Sequence, residues 1–232
     1  MKTFGAFLLF TCLALLPIRS EAAIFINEIL ADPPNGILGD ANRDGVRSAS
    51  EDEFVELVNT GFEPASFSGW TLWDSASRRH TFSSLAVIPT DGFFVVFGGG
   101  DPLGFEAFEI SSTGSLNLNN SGDTVFLKNG EGFVIDSFRY GSEGGRDASL
   151  TRFPDAAGPF VRQVSISTSP FSPGTTVEGE DRLATRATAP EPTSFLLLGS
   201  GLLAVAGRKK FRLIFGKKGT YTRAGGSCER TV

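Results

Sequence analysis

An acidic, polar stretch, GDANRDGVRSASEDEF at residues 39–54, separates two apolar runs of the chain. Counted from Asp40 as the first position, side-chain oxygens stand at positions one, three and five, a glycine at position six, and a carboxylate at position twelve. A tightly curled loop turns such alternate side chains toward one point, where calcium takes about six to eight oxygen ligands. The pattern predicts a calcium loop whose ligands are Asp40, Asn42, Asp44, the carbonyl of Val46, Ser48 through water, and Glu51.

The residues on either side of this loop indicate which kind of calcium site it is. In an EF-hand the loop joins two helices, and its eighth position, here Arg47, is usually apolar. The runs at 23–30 and 54–60 are instead rich in β-branched and apolar residues, which is typical of strands. We therefore expect a structural calcium loop between two strands, with a Kd on the order of 10⁻⁴–10⁻³ M. An ordinary solvated turn without metal is the alternative.

Residues that could perform catalysis are few outside this loop. His80 is the single histidine, so a zinc site or a Ser-His triad is not indicated, and a surface or strand position is expected. The glycine-rich run at 92–104 lacks the Lys-Ser/Thr pair and the helix of a phosphate-binding loop. Glu51, Asp52 and Glu53 provide adjacent carboxylates, but no aromatic-lined cleft accompanies them. We predict that the chain is not an enzyme.

The hydrophobic pattern of the body favours an all-β fold. Short apolar runs alternate with turn residues, and FVELVNT at 54–60 alternates its side chains cleanly between two faces. DTVFLK and FVIDSFRY flank an Asn129-Gly130 pair, which is a strong signal for a β-hairpin. About eight short strands at regular spacing, without an amphipathic helix, predict an antiparallel β-sandwich.

The N-terminal residues are typical of a secretory signal. Lys2 precedes an apolar stretch at 5–17, and small residues lead to an expected cleavage between Ala22 and Ala23 by signal peptidase. An N-terminal membrane anchor is the alternative, for which the apolar stretch is short. Cys12 falls in this segment and Cys228 near the other end, so no disulfide framework is expected in the body.

Charge is divided unevenly along the chain. Residues 24–189 contain 23 Asp and Glu against 11 Lys and Arg, a net charge of −12, whereas residues 208–232 have a net charge of +7. An acidic body repels phosphate groups, which argues against nucleic acid as a partner.

The C-terminal part changes composition twice. Residues 165–192 are rich in Ser, Thr, Pro, Gly and Glu and are too poor in apolar residues to form a core, which predicts a flexible, disordered linker. Residues 195–207 are then continuously apolar and are followed by the basic run RKKFR. This run is short for crossing a hydrocarbon core of about 30 Å, yet its basic end indicates a short transmembrane helix with a cytoplasmic tail. A buried core helix is the alternative, and it fits a segment that follows a linker poorly.

With Pro190-Glu191-Pro192 before the apolar run and RKKFR after it, this tail resembles the PEP-CTERM sorting signal of Gram-negative bacteria. The resemblance implies export, transient anchoring in the inner membrane, processing by an exosortase, and delivery to the cell surface or an extracellular polymer matrix. We assign the sorting segment to 193–212, directly after the PEP motif, with residues 213–232 as an extension that such signals usually lack. The residues of the motif are Pro190, Glu191, Pro192, Arg208, Lys209, Lys210 and Arg212.

With segments such as INEIL, EFVELVN and SGWTLWD, the body resembles the lamin-tail domain, an immunoglobulin-like β-sandwich. The resemblance covers roughly residues 23–160 and includes the segments INEIL, EFVELVN, SGWTLWD, LNNSGDTVFLKNGEGFVIDSFRYG and SLTRFPD. It implies a binding or structural module without known catalysis, found in bacteria on secreted proteins and often beside nucleases or phosphatases.

Together these features predict a signal peptide at 1–22, a lamin-tail-like domain at 23–164, and then the linker and sorting segment. The expected function is that of an exported, non-enzymatic module that binds polysaccharide, another envelope protein, or itself. The alternative is an accessory to a secreted nuclease or phosphatase system, binding nucleic acid or phosphoesters. A hydrolase in its own right lacks a catalytic constellation.

Overall fold

The computed structural model describes residues 24–183, which form twelve β-strands joined by turns and three short 3-10 segments. The 3-10 segments lie at Ile37–Gly39, Ser142–Gly144 and Gln163–Ser165. The strands are β1 (Ile24–Leu30), β2 (Phe54–Asn59), β3 (Ala65–Ser66), β4 (Thr71–Trp73), β5 (Arg78–Thr81), β6 (Val87–Ile88), β7 (Phe93–Phe97), β8 (Phe108–Ile110), β9 (Asp123–Lys128), β10 (Val134–Tyr140), β11 (Leu150–Arg152) and β12 (Phe160–Arg162).

The strands form two main sheets and one small ribbon. The larger sheet has six strands in the order β12-β11-β1-β2-β7-β8, and the smaller one has four in the order β10-β9-β4-β5. Pairing is antiparallel except between β7 and β8, which run parallel. β3 and β6 form a separate two-stranded ribbon. The prediction of an all-β antiparallel sandwich is thereby confirmed.

The main core lies between the two sheets and is filled by inward-facing apolar residues. Ile26, Leu57 and Leu127 contribute from both sheets and are fully buried. At one end, Phe67 packs edge-on against Phe82 and Phe94, with ring centroids 4.5 and 5.0 Å apart. Such T-shaped aromatic contacts add to the free energy gained by removing the rings from water.

A second, smaller core covers the opposite face of the six-stranded sheet. It consists of Leu30, Ala41, Phe54, Val95 and Phe97. Because β2 lies at the centre of this sheet, all six of its residues are buried, including the charged one. A strand buried on both faces requires hydrogen-bonding partners for every polar side chain it carries.

The β9–β10 hairpin forms where the Asn-Gly pair predicted it. Asn129 lies in the turn, and its Oδ1 accepts hydrogen bonds from the backbone N–H groups of Glu131 and Phe133. The left-handed conformation falls on Gly132, with φ of 88°, two residues beyond the Asn-Gly glycine. The turn is thus longer than a two-residue one, and the side chain of Asn129 closes it.

Residues 166–183, here called the C-terminal strap, run across the six-stranded sheet without regular structure. The Ser172 N–H and Oγ–H donate to the two carboxylate oxygens of Glu28, at 2.9 and 2.7 Å. The Gly174 N–H donates to Glu56, and the ring of Phe171 packs edge-on at 6.3 Å from Phe54. The strap therefore belongs to the folded domain.

This arrangement differs from the flexible linker predicted to begin at residue 165. The low apolar content of the segment led to that prediction, but the strap is held mainly by hydrogen bonds to buried acids, which apolar content does not reveal. The rest of the predicted linker, 184–192, lies outside the described residues, as do the signal peptide, the sorting segment and the extension at 213–232.

The predicted transmembrane helix at 195–207 also lies outside the described part of the chain. Between residues 24 and 183, no helix is long and apolar enough to cross a membrane.

We predict that a chain ending at residue 164 is much less stable than a chain ending at residue 183. Removing the strap takes the Ser172 donors from Glu28 and the Gly174 donor from Glu56 and uncovers Phe54. This should lower the free energy of unfolding by several kcal/mol, on the order of 3–5. Urea unfolding of the two chains measures this difference. A chain ending at residue 192 serves as the control and should match the one ending at 183. Equal stability of the 164 and 183 chains would contradict a structural role for the strap.

Candidate functional site

The acidic loop, residues 39–53, is coiled by hydrogen bonds that its own side chains accept from its backbone. Oδ2 of Asp40 accepts from the Gly45 N–H at 2.9 Å, Oδ1 of Asn42 accepts from the Asp44 N–H at 3.0 Å, and Oδ1 of Asp44 accepts from the Val46 N–H at 2.8 Å. Asp and Asn side chains commonly bond to backbone groups a few residues ahead and so tighten a turn. The structure thus brings the first three predicted ligands into one compact coil.

Asp52, which was not among the predicted ligands, closes the loop. It is fully buried, and its two oxygens accept from the backbone N–H groups of Asn42 at 3.0 Å and Ser48 at 2.7 Å. Burial raises the pKa of the Asp52 carboxyl, and the hydrogen bonds from Ser48 and Asn42 act in the opposite direction. Its position within an acidic Glu-Asp-Glu run gave no sign of this role.

The loop rests on the glycine-rich run that follows β7. The Asn42 Nδ2 donates to the carbonyl of Gly99, and the Asp101 N–H donates to Oδ2 of Asp44. A Cβ added at Gly98 would lie 1.8 Å from the carbonyl oxygen of Ser50. One added at Gly100, where φ is 77°, would lie 2.2 Å from Asn42 Nδ2. The glycines therefore serve close packing against the acidic loop.

One oxygen of the loop is suited to a cation. Oδ1 of Asp40 is buried from solvent and accepts no hydrogen bond, whereas its partner Oδ2 is bonded to Gly45. A buried carboxylate oxygen without a donor is destabilising unless a proton, a water molecule or a metal ion satisfies it. In this respect the donor set fits calcium, which prefers carboxylate and carbonyl oxygens.

The remaining predicted ligands are arranged less closely. Ser48 Oγ accepts from the Glu51 N–H at 3.3 Å, and the carbonyl of Glu51 accepts from Gly99. Val46 is exposed. Within the described residues, no three Asp, Glu, His or Cys side chains converge tightly enough to hold a metal by themselves, so Glu51 is not gathered with Asp40 and Asp44. Any ion here would also need the Asn42 oxygen, a backbone carbonyl and water.

A second group of acids lies buried beneath the strap, and sequence reasoning missed it. Oε1 of Glu56 accepts from Asn27 Nδ2 at 2.9 Å, and Oε2 accepts from the Gly174 N–H at 2.6 Å. Asn27 also donates to Asp155, which in turn accepts from the Val177 N–H. The signal that was available is Glu56, an acid that stands between Val55 and Leu57 in an otherwise apolar strand.

Burial strongly affects the protonation of these acids. It raises the pKa of Glu28 from 4.5 to about 7, against the lowering effect of hydrogen bonds from Ser149 and Ser172. It also raises the pKa of Glu56 well above its ordinary value, and the nearby charge of Glu28 adds to this effect. Because two like charges are costly in an apolar interior, the pair retains a proton at neutral pH.

The other candidate catalytic residues are also held in structural contacts. His80 lies buried in β5, with Nε2 2.7 Å from Oε2 of Glu109 and Nδ1 accepting from the Ser112 N–H. Burial lowers the pKa of His80, although Glu109 opposes this. Glu53 accepts from the Leu118 N–H at 3.3 Å, and burial raises its pKa to about 8. These groups connect neighbouring strands and loops within the sandwich.

The fold and its loops define an immunoglobulin-like β-sandwich, and comparison with known families specifies it further. The family model for the Lamin Tail Domain matches residues 17–142, which is more than half of the chain. The chain therefore belongs to the lamin tail domain family. The matched region ends before β11, so the last two strands and the strap lie beyond it. A comparison with curated proteins found no significant match.

A second family model, the PEP-CTERM protein-sorting motif, matches residues 188–210. This range contains the PEP motif at 190–192 and the basic residues 208–210 that were predicted, while Arg212 lies just beyond it. The motif indicates an exported protein that is sorted by an exosortase to the cell surface or the extracellular space.

We predict that the domain loses stability as the pH rises from about 5 to about 9. The folded chain keeps protons on Glu28 up to about pH 7 and on Glu53 up to about pH 8, whereas unfolded glutamates release theirs near 4.5. Stability from these groups is complete below the unfolded pKa and is lost as the pH passes the folded pKa. Thermal melting should show a fall on the order of 5 °C or more.

The variant Glu28→Gln should reduce this fall. Glutamine can accept from the Ser172 N–H and donate to the Ser172 hydroxyl, so it keeps the contacts of Glu28 while removing a titrating group. The exposed Glu131→Gln is the matched control and should melt like the wild type at every pH. A pH profile of Glu28→Gln that coincides with the wild type would contradict this assignment.

Proposed function

We propose that this protein is an exported, non-enzymatic binding or structural module of the bacterial envelope or extracellular matrix. The observation that carries this proposal is the combination of a lamin-tail β-sandwich with an exosortase sorting motif in one chain. The buried acids support a non-enzymatic role, because Glu28, Asp52 and Glu56 each accept hydrogen bonds that hold a loop or the strap. Their oxygens are engaged in maintaining the fold.

Processing of the ends completes the proposed route of export. Signal peptidase removes residues 1–22 by cutting between Ala22 and Ala23. The segment at 193–212 then holds the chain in the inner membrane until an exosortase acts on the PEP-CTERM motif. The folded domain afterwards resides at the cell surface or in the matrix, where its partner is an extracellular polysaccharide or protein.

We propose further that calcium binds the acidic loop and stabilises its coil. Asp40, Asn42 and Asp44 would supply side-chain oxygens, Val46 its carbonyl, and Ser48 a water-mediated contact. Glu51, which is not gathered with Asp40 and Asp44, would have to move toward them to provide a closing carboxylate. The unpartnered Oδ1 of Asp40 supports this reading. Calcium would supply positive charge to a part of the molecule that is rich in carboxylates, and it would hold the loop on the glycine-rich run.

We predict that millimolar calcium raises the melting temperature of the purified protein. With a Kd of about 1 mM, calcium at about 10 mM stabilises the folded state by about 1.4 kcal/mol, which corresponds to a shift of about 3–6 °C. The variant Asp40→Asn should abolish the shift, because it removes the charge while its amide oxygen still accepts from the Gly45 N–H. Differential scanning calorimetry with and without calcium measures the shift.

Two controls make this test specific. Glu131→Gln removes one exposed acid far from the loop in sequence and should retain the full calcium effect. Magnesium at the same concentration should have a smaller effect, since it demands a tighter octahedral shell. A wild-type melting curve that does not change up to about 10 mM calcium would exclude the calcium proposal.

A further inference from the structure

The outer face of the four-stranded sheet carries an aromatic pair at its centre. In β9 the burial alternates, so that Val125 and Leu127 point into the core while Phe126 faces outward. The strand register places Phe126 opposite Trp73 on β4, and Trp73 opposite Arg78 on β5. Side chains directly opposite each other lie on the same face of a sheet. Phe126, Trp73 and Arg78 therefore form one outward row.

The same face carries three cations and no acid at its outward positions. Lys128 lies one outward step beyond Phe126, and Arg139 faces outward on β10 opposite Thr124. None of Arg78, Lys128 and Arg139 forms an ion pair with another described residue. Across residues 24–183 as a whole, 23 acidic residues stand against 10 basic ones. The face is thus a cationic patch on an acidic domain.

The ammonium group of Lys128 makes cation–π contacts with two aromatic rings. Its Nζ lies 4.0 Å from the ring centroid of Trp73 and 5.8 Å from that of Phe126. Trp73 is oriented by a hydrogen bond from its Nε1 to Oγ1 of Thr71, at 3.0 Å. A cation over an aromatic ring is stabilised only modestly at an exposed site, so an anionic ligand can draw this ammonium away and expose the indole.

The three cations lie around the aromatic pair and are spread over the sheet. Arg139 and Arg78 are on the two outermost strands, β10 and β5, which three strand spacings place about 14 Å apart. A ligand that contacts all three cations must therefore be extended and must carry several separated negative charges. Hydroxyl groups on the same face, those of Thr71 and Thr124, can bond to polar groups of that ligand.

We propose that this face binds an acidic polysaccharide. Carboxylate groups of the polymer pair with Arg78, Lys128 and Arg139, and a sugar ring packs on Trp73 and Phe126. The proposal deepens the binding role stated above, on which it rests, by assigning it a surface and a class of ligand.

Charge favours a sugar polymer over nucleic acid as the occupant. A nucleic-acid strand carries a phosphate on every nucleotide and needs many cations for tight binding. This face offers three cations, and the surrounding domain, with its excess of acids, repels a dense polyanion. A polymer with more widely spaced carboxylates meets the three cations with less repulsion.

The test measures binding of the purified protein to hyaluronan, a sugar polymer with one carboxylate on every second sugar, by isothermal titration calorimetry in low salt and EDTA. EDTA prevents calcium from bridging the acidic domain to the polymer. We expect measurable binding that weakens with added salt and no binding to neutral dextran. The triple variant Arg78→Gln, Lys128→Gln, Arg139→Gln should lose about tenfold or more in affinity. Trp73→Ala should lose about threefold or more.

Matched variants elsewhere on the surface distinguish binding at this face from nonspecific binding to the rest of the protein. Arg146→Gln removes an exposed arginine, and Phe62→Ala removes an exposed ring, and both should bind like the wild type. Melting temperatures establish that each variant is folded. Equal affinity of the triple variant and Arg146→Gln, absence of binding by the wild type, or tighter binding of single-stranded DNA than of hyaluronan would each overturn the proposal. Any of these results leaves the calcium-dependent stabilisation intact, so the two proposals fail separately.

Discussion

The burial of β2 on both of its faces is the constraint on which the rest of the domain depends. One face of this strand packs into the core between the sheets through Val55 and Leu57. The other face presents Phe54 and Glu56, which the second sheet does not reach. Something else must cover the ring and supply donors to the carboxylate, because an unsatisfied buried acid would destabilise the fold by several kcal/mol. The strap supplies a donor and covers part of this face, and the acidic loop adds to the covering through Ala41.

The two coverings use different chemistry on the same face of the sheet. The strap provides backbone N–H groups and a serine hydroxyl to Glu28 and Glu56, and Phe171 packs against Phe54. The acidic loop contributes Ala41 to the second core and is closed by Asp52. Its coil is therefore seated by packing and hydrogen bonds within the chain. A bound calcium ion would add to a loop that already has a defined position, which suits a structural role and a modest affinity.

The four-stranded sheet, unlike the six-stranded one, is covered on only one face. Its inner residues fill the core, and its outer residues contact solvent. Core packing therefore does not restrict which amino acids occupy the outer positions. Trp73, Phe126 and three cations nevertheless occupy that face, while the domain as a whole is strongly acidic. In a fold that hosts many functions, such differences between surfaces matter more than the shared sandwich. The buried acids Glu28, Asp52 and Glu56 thus stabilise the fold, whereas the cations on the outer face of the four-stranded sheet form a surface available to a partner.

The amino-acid sequence by itself determined the features that depend on neighbouring residues. Strand alternation and the Asn129-Gly130 pair predicted the hairpin. The spacing from Asp40 to Asp44 predicted a tightly curled loop, and in the structure hydrogen bonds spanning two to five residues close it. Only the tertiary structure decided the course of the strap, the parallel pairing of β7 with β8, and the closing role of Asp52. Glu28 and Ser172 are 144 residues apart, and their contact arises because a buried carboxylate requires a donor that local composition cannot reveal. The segment predicted to be a flexible linker is thus held in place by a requirement that originates in the first strand.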